Sequence, residues 1–575
     1  MKARALLWIG CMAAASLPAA RSVHGASGGT ATLRTQLGAA SNFSQGWNPR
    51  AAQAARDLPV PRLRDSIHWA DVERTPGHYS FDKPTTTWPD RFAHSAVRIT
   101  LTLNWGNPLY DHGMTPHSPR ALAAFGRFAA AVVQRFPQID RLEIGNEVNS
   151  ANFVSGPVKK AGLARRGPYH LAMVRAAARA VRNVRPEVEV LGGSTHSLPA
   201  GFLWPLLDLP GAGDIAGLAV HPYTTPIDQL PVQIGLLRGH GPAAGLPLHV
   251  TEFGSADPRR AADDLVRGYA TLAALGVAEL DWYPLNPRGD GLVPLVRRSG
   301  ALTEAGQAFR FVQARLAGKR ARDISPDRFT FVHRFGGKIE VVWGAPRTVR
   351  IDAGAVTAFD ATGAPLDPGS LTLREDRAIV LIGRKPLSDG SVRFGCNPLV
   401  ADSFYQFGYP APGQRQAAGD GFERFVRIAG HEKPFEVLPG QQRAHVPWTP
   451  YLGRADMRNL RLAADTLLPA VTGPDSAVVL RYTASHAGRL RVLAEFAVSP
   501  RSTDGIAVAL SRNGHTLLTR AGTAPDSIDL KLNLRKGGTA AFAISPRASP
   551  RGDTTSYRIR IYDEGRCPQG AVPGA

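Results

Sequence analysis

Cysteine is scarce in this chain, three in 575 residues, which leaves no basis for a disulfide-dense scaffold or a cysteine-ligated zinc module. Lysine is scarce as well: ten stand among the 68 basic residues, and the arginines are spread along the chain rather than gathered into an arm. Without an RNA-binding signature beside it, a formal charge of +21 does not point to nucleic acid, although such a field can attract an acidic polysaccharide. No phosphate loop, dinucleotide fingerprint or metal-ligand spacing is present, so neither cofactor nor metal is expected. Internal repeats and low-complexity tracts are missing too.

What is present fits a large soluble protein. Hydrophobic residues make up 43% and charged residues 20%, enough to bury substantial cores, and the length calls for several domains. Lys2 and Arg4, the apolar stretch from Ala5 to Leu17 and the small residues after it predict an export signal over residues 1–25. That stretch is too short to span a membrane, so no transmembrane helix is expected in the mature protein, which would be periplasmic or secreted. Cys11 follows Ile9-Gly10 as in a lipoprotein signal, but Trp8 fits that pattern poorly and the apolar run continues past the cysteine. Cys396 and Cys567 remain, an even pair in an exported protein, and are expected to form a disulfide that clips the ends of the last domain together.

From about residue 30 to 318 short apolar runs alternate with helical patterns, the βαβα order of a parallel sheet. Strands are expected near 32–37, 62–64, 97–103, 141–144, 188–191, 215–220, 248–250 and 278–282. Ser118-Pro119 and Pro168 open helices between them. Eight units in some 290 residues predict an α/β (β/α)8 TIM barrel. A small antiparallel β-module is expected over 324–384, with Gly336-Gly337 as a hairpin turn. A C-terminal β-sandwich is expected over 392–570.

The most informative strings are Ile144-Gly145-Asn146-Glu147 and Val250-Thr251-Glu252-Phe253-Gly254, 105 residues apart. Each places a carboxylate where a strand ends, and strand C-termini converge on one rim of such a barrel. Two carboxylates there are the minimal equipment for cutting a glycosidic bond. Glu143, on the same strand face as position 147, is expected to point into the barrel beneath it.

Six stretches carry a resemblance. They are Arg64-Asp65-Ser66-Ile67-His68-Trp69 with Gly77-His78-Tyr79, Asn104-Trp105-Gly106-Asn107-Pro108, Glu143-Ile144-Gly145-Asn146-Glu147, His221-Pro222-Tyr223, Thr251-Glu252-Phe253-Gly254 and Asp281-Trp282-Tyr283. In this order they resemble the barrel of clan A retaining glycoside hydrolases, and are most similar to family 39 and the exopolysaccharide-cluster endoglycosidases. The resemblance implies Glu147 as acid/base and Glu252 as nucleophile, with the two carboxyl groups about 5 to 5.5 Å apart. It also implies that Tyr223 and Arg64 favour the charged nucleophile, and that Asn146 meets a sugar hydroxyl. Trp282 is expected as a stacking platform, with Asn104 and His221 as further substrate ligands. Trp69, Trp105, Tyr110 and His68 serve either as subsites or as core and rim. The substrate would be a polysaccharide or oligosaccharide, β-linked, with exopolysaccharide among the candidates. A silent glycan-binding protein on the same scaffold and a transglycosylase are the alternatives. The aromatics at 404–409 and 448–451 serve either as a glycan platform or as sandwich core.

Overall fold

The computed structural model describes residues 34–388, 390–524 and 526–567; the export signal expected over residues 1–25, with Cys11, lies outside them. Eight parallel strands close into a barrel: β1 (Gln36–Ala40), β2 (Arg62–Ser66), β3 (Arg98–Leu103), β4 (Ile139–Ile144), β5 (Glu189–His196), β6 (Gly217–His221), β7 (Leu248–Phe253) and β8 (Glu279–Trp282). Each strand pairs with its neighbour in sequence, and β8 returns to β1 with Gly38 opposite Asp281. β1 begins at Gln36, later than the apolar pattern near 32–37 suggests. Position 38 is glycine for a steric reason, since a Cβ there would overlap the Asp281 carboxylate.

The surrounding helices follow local rules. Ser118 caps Pro119–Arg135 by accepting the Ala121 N–H at 3.2 Å, and Pro119 sits where a missing N–H costs nothing. That helix buries Phe125, Phe128 and Val132 against the barrel. The helix Arg166–Arg182 starts two residues before Pro168, which still falls within the first turn.

The barrel interior is charged, unlike the apolar layers common in this fold. Arg62 meets Asp140 at 2.6 Å, Arg141 meets Glu279 at 2.6 Å, and His249 meets Glu279 at 3.1 Å. Asp281 lies among these groups. Burial and the neighbouring Glu279 push its pKa well above the ordinary carboxyl value, which favours the protonated form.

Beyond the helix Glu304–Arg315, a five-stranded antiparallel sheet runs from Ala321 to Gly383. Its hairpin turns at Gly336 and Gly337, both at positive φ. The sheet shares its core with the barrel: Phe335 stacks on Tyr269, and the Trp343 indole donates to Asp228 at 2.7 Å. An eight-stranded and a six-stranded sheet follow and enclose a second core. The strands Ala477–Thr483 and Ile506–Arg512 both lie in the six-stranded sheet. A disulfide joins Cys396 to Cys567 across 171 residues of sequence. Among the described residues no helix is long and apolar enough to cross a membrane.

Candidate active site

The C-terminal ends of β2, β4, β6 and β7 bring four of the expected residues to one point. A register shift between β7 and β8 opposes Thr251 and Glu252 to the single residue Asp281. This bulge breaks the period-two alternation, so two consecutive side chains of β7 reach the interior. Thr251 donates to Glu143 at 3.1 Å, while Glu252 accepts from Tyr223 at 3.0 Å and from Arg64. Glu147 is delivered differently. β4 ends at Ile144, Gly145 turns the chain at φ 81°, and Glu147 itself stands at φ 42°. A non-glycine residue held there is strained, a feature that gathers at functional sites. The turn is fixed by Gly145 N–H to the Leu103 carbonyl at 2.8 Å and Val148 N–H to the Ser194 carbonyl at 3.0 Å.

One carboxylate oxygen of Glu147, one of Glu252 and a ring nitrogen of His221 all lie within 4.8 Å of one another. These three side chains are also the group best placed to offer ligand atoms to a cation. Positive charge is already supplied there by Arg64 and His221. The Arg64 guanidinium donates to Glu143 at 2.8 Å, to Asn146 Oδ1 at 2.8 Å and to Glu252. His221, fully buried, faces Glu147 through Nδ1 at 3.3 Å and Glu143 through Nε2 at 3.3 Å. His196 adds a second contact to Glu147 Oε1 at 3.0 Å.

The electrostatics follow from this packing. Burial pushes the Glu143 carboxyl up, but Arg64 and His221 outweigh it and bring it down to about 2. Burial acts the same way on Glu147, where His196 and His221 bring the value to about 2. Burial lowers His221, yet Glu252, Glu143 and Glu147 raise it to about 9. Tyr223 is raised well above 10 by burial and by Glu252, so it remains a donor. At neutral pH the cluster therefore holds ionised Glu143 and Glu147 around an imidazolium. A general acid works best with a raised carboxyl, and at Glu147 the two histidines act the other way.

Of the residues singled out from sequence, Arg64, Asn104, Asn146, Glu147, His221, Tyr223 and Glu252 come together. Asn104 accepts the Asn146 N–H at 3.0 Å, and its own amide nitrogen is buried without a partner among the described residues. Trp282 does not join them. Alternation along β8 turns Asp281 inward and Trp282 outward, where it is fully buried against Phe253 and donates to the Val293 carbonyl at 3.0 Å. It offers no face to a ligand. Trp69 and Tyr110 are core: they stack at 5.2 Å and both donate to the buried Glu73. Trp105 is 44% exposed on the rim, with His68 edge-on at 6.1 Å. His196 was not anticipated. The apolar pattern of β5 fades at Leu191, and a register shift at Gly193–Thr195 carries the strand on to the histidine.

The chain matches no family model and no curated protein. Its solved structural neighbours are glycoside hydrolases. A family 39 glycoside hydrolase from Bacteroides cellulosilyticus WH2 has a TM-score of 0.51 at 16% identity, covering 61% of this chain and 81% of that one. A GH30 endoxylanase from Clostridium papyrosolvens C71 has a TM-score of 0.47 at 13% identity, covering 62% and 98%. A monomeric β-xylosidase from Caulobacter crescentus CB15 has a TM-score of 0.42 at 14% identity, covering 89% and 96%. At such identities the likeness is one of fold, and it rests on the first of the three.

Proposed function

We infer that the protein is an exported retaining glycoside hydrolase that cleaves a β-linked polysaccharide or oligosaccharide by double displacement. The observation that carries this reading is that an oxygen of Glu147 and an oxygen of Glu252 lie within 4.8 Å of each other with His221 beside both, so the two carboxyls serve one reaction centre. The retaining assignment predicts carboxyl groups about 5 to 5.5 Å apart, against about 6.5 to 9.5 Å for an inverter, which must admit a water.

In the first step a Glu252 oxygen attacks the anomeric carbon and forms an ester as the C–O bond to the leaving sugar breaks. Glu147 donates a proton to the departing oxygen. His221 Nδ1 faces Glu147 at 3.3 Å, and the raised His221 holds that proton at neutral pH; its shift to Glu147 leaves a neutral imidazole and a competent acid. In the second step Glu147 takes a proton from water, the water oxygen bonds to the anomeric carbon, and Glu252 leaves as carboxylate. Arg64 and Tyr223 donate to Glu252 and orient it, and Asn146, fixed by Arg64 and Asn104, meets the 2-hydroxyl. Export is supported by the leader-like sequence and by the disulfide, which persists in oxidising compartments.

A 2-deoxy-2-fluoroglycoside should label Glu252, with the adduct located by peptide mass spectrometry. Glu252→Gln should lower kcat by at least about 10³-fold, the scale on which loss of a nucleophile is felt. Undiminished turnover in that variant, or a label on another residue, refutes the assignment.

A further inference from the structure

One wall of this site comes from another part of the chain. The segment 439–449 of the sandwich lies on the barrel rim after β5. Gly201 N–H donates to the carbonyls of Pro439 at 2.9 Å and Gly440 at 3.1 Å, and a Cβ at position 201 would collide with the Gly440 oxygen. Buried Asn149, two residues past Glu147, donates to Gln441 Oε1 at 2.7 Å and to the His196 carbonyl at 3.0 Å. It also accepts the His196 N–H at 2.9 Å. A single side chain thus ties the Glu147 turn, the His196 turn and the sandwich together. Gln229 and Gln233 add bonds to the Phe404 carbonyl at 2.6 Å and the Tyr409 hydroxyl at 2.7 Å. Separating this boundary would leave buried polar groups unpaired, which is costly.

Trp448 stands at the end of the segment. Its ring meets His196 edge-on, with 4.8 Å between centroids and 80° between planes, and His196 lies 3.0 Å from Glu147 Oε1. The indole is half-buried. Most other aromatics of the two sandwich clusters pack inward: Tyr405, Phe407 and Tyr451 are buried, and Tyr409 bonds to the Pro450 carbonyl at 2.6 Å. The acid must reach the bridging oxygen of the substrate, so the departing sugar lies on the Glu147 side of the cleft. Trp448 is held one imidazole away from that carboxylate.

We propose that Trp448, contributed by the C-terminal sandwich, is the stacking platform of the leaving-group subsite. The sandwich is then a wall of the active site rather than a separate glycan-binding module. The ligand is the departing portion of a β-linked oligosaccharide, whose pyranose C–H face suits an aromatic ring. The proposal rests on the glycosidase reading above.

The test compares full-length wild type, Trp448→Phe and Trp448→Ala on xylohexaose, cellohexaose and mannohexaose, and on the glycosyl fluorides of the same sugars. Fluoride leaves with no sugar in the subsite. Trp448→Ala should lose about tenfold in kcat/KM on the hexasaccharide that wild type cleaves, the effect of a contact worth about 1.4 kcal/mol, with Trp448→Phe retaining most of it. Turnover of the fluoride should stay within about twofold. Equal losses on both substrates would mean that Trp448 only props His196 or the fold, and would overturn the proposal, as would no loss on either. Calorimetric binding of the hexasaccharides separates this reading from the one beneath it. A wild type that binds but turns over neither substrate refutes the glycosidase reading, while weaker binding by Trp448→Ala still supports the platform. A wild type that neither binds nor cleaves any of the sugars overturns both.

Discussion

Glu143→Gln tests the electrostatic account most directly. Glu143 is fully buried and accepts from Arg64 at 2.8 Å, Thr102 at 2.9 Å and Thr251 at 3.1 Å, with His221 at 3.3 Å. Its carboxyl falls from an ordinary 4.5 to about 2. At 1.36 kcal/mol per tenfold change in proton affinity, the charged form is favoured by about 3 kcal/mol. The glutamine keeps the shape and removes the charge, leaving Arg64 and His221 with one fewer counter-ion in a buried place. Loss of one partner of such a set costs roughly 3 to 5 kcal/mol, so both routes give about 3 kcal/mol at pH 7. The sign of the pH dependence is fixed by linkage. A lowered folded pKa contributes fully above the unfolded value near 4.5 and is lost as pH falls through about 2. The gap between wild type and variant should therefore shrink to about 2 kcal/mol by pH 3.5. Urea unfolding followed by tryptophan fluorescence and by circular dichroism at pH 7, 5 and 3.5 measures it, coincident curves licensing the two-state treatment. A gap below about 0.5 kcal/mol at pH 7, or one that does not change with pH, refutes the reasoning.

Two further outcomes are expected. His221 is raised from 6.5 to about 9, so its cation persists through neutral pH, and the stability it contributes is full below about 6.5 and lost as pH rises through about 9. The basic limb of kcat/KM should lie near pH 9 and move to lower pH in His221→Asn, where the proton must be held without His221; an unmoved limb contradicts the shared proton. Cys396→Ser opens a loop of 171 residues and should destabilise the sandwich by about 2 to 4 kcal/mol. Equal denaturant midpoints for the variant and the oxidised wild type would contradict that.

Much of the candidate site was legible because strand ends in a parallel barrel obey a simple rule. Asn146, Glu147, His221, Tyr223 and Glu252 sit at or just past such ends, with Arg64 in mid-strand on β2, and each lies in a short string of distinctive residues. Trp282 misled because the same string places it one residue past Asp281, and alternation turns neighbours to opposite faces. Thr251 and His196 were invisible for the opposite reason. Each reaches the interior across a register irregularity, and no residue pattern announces a bulge one position in advance.

By itself the sequence determined the eight-unit barrel, the β-rich continuation, the cysteine pair and the two carboxylates at its rim. Those follow from periodicity and local chemistry, which act over a few residues. Tertiary structure alone decided how the carboxylates are charged. Burial, Arg64 and two histidines set the proton distribution, and they meet only when β2, β4, β5, β6 and β7 close on one another. It also decided that Trp448, some 300 residues from Glu147 in the chain, lies one imidazole away from it. Charge in a buried cluster and contact between domains are sums over neighbours in space, and a sequence specifies those neighbours only through the fold.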